Sequence, residues 1–416
     1  MQSSYLICYK YRMNIMMVLP YLPYPTSSGG QIRSYNLIQN LSKKHNITLI
    51  GYIRDAKELE NSKILNKYCN KIYTVTRRPA WSWKHILMSI FTPFPFLLLS
   101  TYYSPPLKRI ISKELNQKKY DLIHCETFYV MPNLPRTRVP ILLVEQTIEF
   151  LVYEKYVHDF KYFFLKPIMY LDILRLKLWE KYYWKRATRL ATVSEDDREY
   201  ILEHSNVKKI NVIANGVDID FFKKTKKTEN KSPVVLFVGQ FRWLPNREAA
   251  LLLIKKIWPL IIKELPTAKL LIVGRNAPPE ILKYTKEGEI SIRSDIEDIR
   301  DAYGQADVIL APVMNGKGTK YKILEAMATH TPIVASPIAA EGLNIVNGKH
   351  ALIATDETEL AKNAIRVLKD KKLARNLEKN AFELLEQNYS WDTITLKVND
   401  IYSELISNVF SGINHE

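Results

Sequence analysis

Short apolar runs recur through the first half of the chain, at 14–19, 47–53, 71–76, 121–125, 141–144, 190–193 and 211–213. Most are continuous rather than alternating, as strands are when both faces are buried, and stretches of helical period such as 31–42 and 164–186 separate them. This alternation predicts a parallel sheet with helices on both faces. The pattern stops at 223–233 (KKTKKTENKSP), which carries no large apolar side chain and reads as an exposed interdomain linker. It then restarts, with strands at 234–238, 269–273, 307–311, 333–335 and 352–354 and helices at 246–265, 298–306, 320–329 and 357–369. A tail helix from 392 to about 407 takes Ser390 as its N-cap. Two doubly wound α/β domains follow, one over 13–222 and one over 234–390, with 391–416 a helix packing back on the first. Ligands of such sheets sit outside the carboxyl ends of the strands, so a cleft between two facing domains is the expected site.

The 416-residue chain sets 60 Lys and Arg against 43 Asp and Glu, a net charge of +17 that favours an anionic partner. Nucleic acid is not expected to be that partner, because no zinc, RRM, KH or basic-zipper signature accompanies the charge. Cys8, Cys69 and Cys125, widely spaced and odd in number, exclude a disulfide framework and a CxxC metal knuckle and fit a reducing cytoplasm. Residues 1–12 lack the basic start, apolar run and cleavage site of a signal peptide. They read as a disordered extension or a misplaced start, with the fold beginning at Met13.

The 22 residues from 86 to 107 carry no charge, long enough to raise a membrane span. Pro93, Pro95, Pro105 and Pro106 interrupt them, and proline inside a helix costs about 3 kcal/mol. An apolar groove lining, or a segment lying in a bilayer interface, is the expectation instead. Lys161, Lys166, Arg175, Lys177, Lys181, Lys185, Arg186 and Arg189 run among aromatic and aliphatic residues and would be drawn to anionic lipid. Peripheral attachment at the inner face of the plasma membrane is thus one expectation, and a solvated basic helix accounts for the same residues.

Three strand–turn–helix junctions carry the candidate chemistry. In LPYPTSSGGQIRSYN, Gly29 and Gly30 bring bare backbone to a helix start, an anion seat that needs no charged side chain, although a merely tight turn would account for the pair as well. In DVILAPVMNGKGTKYKILEAMA, Gly316 and Gly318 end a strand and a helix opens near Thr319 or Lys320. Lys320 and Lys322 then occupy the helix end that disfavours cations, which makes sense if both face a bound polyanion. Glu325 follows one turn on, set among Ile323, Leu324, Ala326 and Met327, where its carboxylate can accept two hydroxyls. In VLFVGQFRWLPNR, Gly239 marks the turn, Asn246 the helix start, and Arg242 and Arg247 offer planar forks for phosphate.

Taken in series with ATVSEDD, NGVDIDFF, LLIVG, PIVAS and EGL, these stretches resemble the retaining, nucleotide-sugar-dependent glycosyltransferases of the GT-B fold, family 4 (group 1). The resemblance spans nearly the whole chain and implies two facing Rossmann-like doubly wound domains with an interdomain cleft. It implies a donor such as a UDP- or GDP-sugar as substrate, no cofactor and no metal, and a glycan or lipid-linked acceptor. By the same resemblance Arg242 and Lys322 bind the diphosphate, supported by Gly29, Gly30, Asn246, Gly318, Thr319 and Lys320. Glu325 binds the donor ribose, while Ile296, in the turn 294–298, and Gly274 lie at the nucleotide.

Two departures stand out. The family's first glutamate falls eight positions before the second, where Lys317 stands, which puts the standard contact to the sugar ring in doubt. Gln146 occupies the place where many members carry a histidine; it can donate and accept but cannot be a general base. Glu145 and Glu149 flank it, and a double displacement would have to use one of them as nucleophile. His124, at a different strand end, reads as a packed structural histidine. Another GT-B enzyme such as a nucleotide-sugar epimerase, a non-enzymatic polyanion binder and a catalytically silent relative are the other classes that fit. The AT-rich-genome composition, heavy in Lys, Ile, Asn and Tyr, points to bacterial cell-surface polysaccharide synthesis.

Overall fold

A computed structural model describes residues 12–79, 92–96, 98–316 and 320–413. The extension expected at 1–12 lies outside the described residues but for Arg12, as do 86–91 and 97 of the uncharged stretch and the three positions Lys317, Gly318 and Thr319. The chain forms two compact units, Met1–Ala214 with Ile394–Glu416, and Asn215–Thr393.

Unit 1 is built on a seven-stranded sheet: β1 (Asn14–Leu19), β2 (Asn46–Ile53), β3 (Lys71–Thr76), β4 (Leu122–Glu126), β5 (Ile141–Glu145), β6 (Arg189–Thr192) and β7 (Ile210–Val212). Its order is β3-β2-β1-β4-β5-β6-β7 and every pairing is parallel, with Ile15 lying between Ile47 and Leu122. The unbroken apolar runs have the consequence foreseen for them: β4 and β5 are buried at every position. Helix α1 (Gly29–Leu41) follows β1, capped by Ser28, whose side chain accepts from the Gln31 N–H. Helices α2 (Glu149–His158) and α3 (Lys166–Arg186) follow β5. Part of the uncharged stretch faces inward: Leu98 is fully buried and the Tyr102 ring stacks 4.4 Å from that of Tyr129, while Pro93, Pro105 and Pro106 are exposed. Among the described residues no helix is long and apolar enough to cross a membrane.

Unit 2 carries a six-stranded sheet: β8 (Val234–Val238), β9 (Lys269–Gly274), β10 (Ile290–Ser294), β11 (Val308–Ala311), β12 (Ile333–Ala335) and β13 (Leu352–Ile353). It is again all parallel, in the order β10-β9-β8-β11-β12-β13. Helix α4 (Leu244–Leu252) starts two residues earlier than expected and gives way to a wide turn over Leu253–Ile257 before Trp258–Glu264 continues it. Pro259, which has no N–H to donate, sits just after that wide turn and accounts for it. Helix α5 (Tyr321–Ala328) follows β11.

Helix α6 (Trp391–Ile413) begins at a Ser390 cap, with the Thr393 N–H donating to Ser390 Oγ at 3.0 Å. From Ile394 onward it belongs to unit 1, where Asn399 meets His45 at 2.9 Å, Tyr402 meets His124, and Glu404 receives Lys209 at 2.9 Å.

The reading of 223–233 as a linker, and of domain edges at 222 and 234, is corrected. The chain crosses between units after Ala214, and the polar segment is part of unit 2. Lys227 Nζ donates to Tyr303 O at 3.1 Å and to Thr331 Oγ1 at 2.7 Å, and Asn230 donates to Asp307 at 2.9 Å. A Cβ on Gly304 would collide with the Lys226 carbonyl. Lack of large apolar side chains excluded burial by packing but not docking by hydrogen bonds, which this segment uses.

Gly274 ends β9 where the Gly239 carbonyl presses against it, so a Cβ there would strike main chain. Gly274→Ala is expected to destabilise unit 2 by about 1–3 kcal/mol, the range for overpacking, and thermal denaturation would show it.

Candidate active site

In a doubly wound sheet the groove that accepts a ligand opens where strand order reverses. In unit 2 that point lies between β8 and β11, and Arg242 and Asn246 follow the first of these strands while Lys320, Lys322 and Glu325 follow the second. Lys322, in the first turn of α5, donates to Asn246 Oδ1 at 2.9 Å and lies 4.7 Å from the centre of the Phe237 ring. Asn246 is itself held by donating to the Gln240 carbonyl at 3.0 Å. Burial strips water from the ammonium and lowers its pKa to about 7, against the pull of the Glu325 carboxylate. Glu325 is half-buried, and its partial desolvation raises its pKa; it accepts the Tyr303 hydroxyl at 2.9 Å, and the same hydroxyl lies 3.0 Å from the Lys322 carbonyl. A half-buried ammonium and a half-buried carboxylate thus stand one turn apart on α5, each steadied by a neutral partner.

Lys320 precedes α5 and is paired with Glu341 at 3.9 Å. Arg242 is exposed in the turn after β8, and Arg247 pairs with Glu280 at 3.8 Å. Ile296 is half-buried in the turn after β10. That turn is tied to the end of β9: the Asp295 N–H donates to Gly274 O at 3.0 Å, and the Ala277 N–H to Ser294 Oγ at 3.3 Å. Asn276 and Asp295 take φ of 58° and 57°, the left-handed conformation that Asn and Asp tolerate best. Gly318 and Thr319 lie outside the described residues.

In unit 1 the reversal falls between β1 and β4. Gly29 and Gly30 open α1 beside it, and a Cβ on Gly30 would collide with Tyr21 Oη and stand 2.8 Å from Gln146 Oε1. Gln146, after β5, donates to Glu126 at 2.7 Å and to Tyr21 Oη at 3.0 Å. Glu126 ends β4 fully buried and faces the equally buried Arg33 of α1 at 3.1 Å. Burial alone would raise the Glu126 carboxyl, but Arg33, His124 and Gln146 overcome it and hold its pKa at about 2. Arg33 also donates to the carbonyls of Ile213 at 2.8 Å and Ala214 at 3.0 Å. His124 Nε2 donates to the Glu126 carboxylate at 3.1 Å, and its Nδ1 meets Tyr402, the structural part expected of it.

Glu145 does not face a ligand. It is fully buried, accepting Trp184 Nε1 at 2.9 Å and the Phe128 N–H at 3.3 Å, and burial raises its pKa to about 8. As a nucleophile it is therefore set aside, and its work is to join β5 to α3. Glu149 is partly exposed at the start of α2, accepts the Tyr129 hydroxyl, and is raised by burial to about 7. Glu180 of α3 caps α2, accepting the N–H groups of Glu149 at 2.9 Å and Phe150 at 3.1 Å. Among the described residues no group of three or more His, Cys, Asp and Glu is placed to hold a metal.

Arg33, Glu126, Tyr21 and Tyr303 were not singled out from the sequence. Only Glu126 left a trace there, a charged residue closing an otherwise apolar strand run.

Glu126→Gln strands a buried guanidinium and is expected to cost about 3–5 kcal/mol in urea unfolding. Arg33→Met with Glu126→Leu is expected to lose less than the two single variants summed. The raised carboxyl at Glu145 has the opposite sign. Its stabilisation is full below pH 4.5 and lost as pH rises through about 8. Glu145→Gln, which mimics the protonated form, is thus expected to gain melting temperature over the wild type at pH 8 and not at pH 4.

Residues 27–221 match the family described as Glycosyltransferase Family 4, and residues 232–370 match Glycosyl transferases group 1. A 44.6 kDa protein in the cps region of Klebsiella pneumoniae is 27% identical over 389 residues, 90% of this chain and 96% of its own length. A glycosyltransferase from Rickettsia africae superposes with a TM-score of 0.66 at 18% identity, over 95% of this chain and 99% of that one. Anabaena HepE, solved with UDP and glucose, gives 0.60 at 16% identity, over 94% and 100%. At such identities the structural likeness speaks for the fold. The two family matches meet the two doubly wound units one to one, and on that ground the chain belongs to the group 1 glycosyltransferases, family 4, with the GT-B fold.

Proposed function

We propose that this glycosyltransferase moves a sugar, with retention, from a nucleoside-diphosphate sugar to a hydroxyl of a glycan or lipid-linked acceptor in cell-surface polysaccharide synthesis. The observation that carries the proposal is the Lys322–Asn246 and Glu325–Tyr303 arrangement on the first turns of α5. A diphosphate is the ligand that repays a desolvated ammonium, and a ribose diol is what a half-buried carboxylate one turn away can accept. Arg242 supplies a second cation, and Lys320, Asn246, Gly318 and Thr319 support the phosphates; Gly29 and Gly30, at the start of α1, offer unit 1 an anion seat of backbone N–H groups. Gly274 and Ile296 flank the base. UDP-sugars are the first to test, since HepE is solved with UDP, and GDP-sugars the second.

In the reaction the bond from the anomeric carbon to the phosphate oxygen breaks and negative charge grows on that oxygen. Lys322 and Arg242 donate to it, which lets cationic side chains do the work a metal does elsewhere; one such donor is worth about 3–4 kcal/mol of barrier. The acceptor hydroxyl attacks the oxocarbenium-like centre on the face the phosphate leaves, and its proton passes to the departing phosphate oxygen. Gln146, oriented by Glu126, and Glu149 are the unit 1 side chains we assign to the acceptor and sugar. The cps-region relative supports polysaccharide synthesis as the setting.

Lys322→Ala is expected to lower turnover about a hundredfold or more, and Glu325→Gln to weaken donor binding in a thermal-shift screen of nucleotide sugars. Wild-type affinity and turnover in both would end the assignment. The free Lys322 ammonium, at a pKa of about 7, is largely uncharged at pH 8, and a bound diphosphate raises that pKa. Calorimetry in buffers of different ionisation enthalpy should therefore find proton uptake on donor binding at pH 8, little at pH 6, and none in Lys322→Ala.

A further inference from the structure

Helix α3 has two apolar faces. Ile173, Leu176, Tyr183 and Trp184 are buried against unit 1. On the opposite side Ile168, Leu171, Leu174, Leu178 and Tyr182 recur at intervals of three and four, which puts them in one stripe along the helix. All five stand open to solvent, Ile168 at 69% and Leu178 at 61%. At 1.5 Å per residue the stripe is about 21 Å long. Phe163 and Phe164 extend it beyond the start of α3, with Phe163 exposed by 79%. A helix facing only water does not carry such a stripe.

Cations frame it. Lys161 and Lys185 are exposed at the two ends, Arg175 is half-buried within the stripe, and the half-buried Lys166, Lys177 and Lys181 lie beside it, with Lys166 donating to His158 O and Lys181 to His204 O, each at 2.6 Å. The acids of the same helix are withdrawn: Glu180 is buried as the cap of α2, and Asp172 accepts the Phe96 N–H at 2.8 Å. The outer face is thus a convex apolar ridge with a positive border, rimmed by Tyr156, Tyr162 and Tyr182. Tyrosines of this kind settle where one end of the ring is dry and the other wet.

We propose that α3 and the Phe163–Phe164 turn dock on an anionic lipid bilayer, lying in its interface with Ile168, Leu171, Leu174 and Leu178 inserted. Charge complementarity selects this occupant: a negative leaflet satisfies the positive border and receives the ridge at once. A second copy of this chain would bring the same border against itself, at a repulsive cost. The surface lies within unit 1 and does not depend on the catalytic proposal.

The test is co-sedimentation of the full chain with vesicles of phosphatidylcholine alone and of phosphatidylcholine mixed with phosphatidylglycerol. Binding to the mixed vesicles that weakens as salt rises is expected. The triple variant Leu171→Ser, Leu174→Ser, Leu178→Ser should bind about tenfold or more weakly with an unchanged melting temperature. Phe163→Ser with Phe164→Ser, outside the helix, tests the same ridge should the triple variant fold poorly. Lys161→Glu with Lys185→Glu should lose the preference for anionic lipid. Lys322→Ala should bind vesicles like the wild type, which separates this proposal from the donor site. No binding by the wild type, equal binding by the ridge variants, or indifference to lipid charge would overturn it. So would a wild-type dimer in solution that the triple variant converts to monomer, since a second copy would then own the face.

Discussion

A guanidinium and a carboxylate with no exposed surface, Arg33 and Glu126, organise the carboxyl end of the first sheet. Isolated, either charge would be intolerable in the interior, and the pair is viable only because every neighbouring element contributes a bond. Arg33 comes from α1 and reaches the carbonyls that follow β7; Glu126 closes β4, receives Gln146 from beyond β5, and meets α6 through His124 and Tyr402. Five segments distant in sequence are thus held in one geometry, and the Gly30 backbone is pressed against that assembly. The position of Gln146 is a consequence of the buried ion pair.

Unit 2 treats charge differently. Lys322 has a neutral amide and an aromatic face for company rather than a paired carboxylate at contact distance. It is held ready rather than satisfied. Where unit 1 spends its buried charges on architecture, unit 2 keeps one poised, and the pKa values follow: Glu126 is driven down to about 2 and Lys322 down to about 7. The first shift stabilises the ionised form and the second destabilises it. Such a contrast is what sets Lys322 apart from the structural pair of unit 1 and supports the role proposed for it.

Strand positions were legible because a parallel sheet demands continuous apolar runs, and β1, β3, β8 and β12 fall where the pattern places them. Lys322 and Glu325 were legible because cations at the wrong end of a helix and a carboxylate among apolar residues both break local rules. Arg33 was not, since an arginine in an amphipathic helix breaks none, and its burial depends on a partner 93 positions away. The linker was misread for the complementary reason: burial through hydrogen bonds has no hydropathy signature. The basic residues along α3 already pointed to lipid in the sequence, but the apolar stripe between them did not, because a helix apolar on two sides looks the same whether its second face meets protein or something else.

Unit 1 is made of two pieces of chain with the whole of unit 2 between them. During synthesis the first sheet leaves the ribosome long before Asn399 and Tyr402 exist to meet His45 and His124. The middle unit, contiguous from Asn215 to Thr393, has all its parts sooner, so the later-encoded unit can finish first while the earlier one waits, partly assembled, for the last turns of helix.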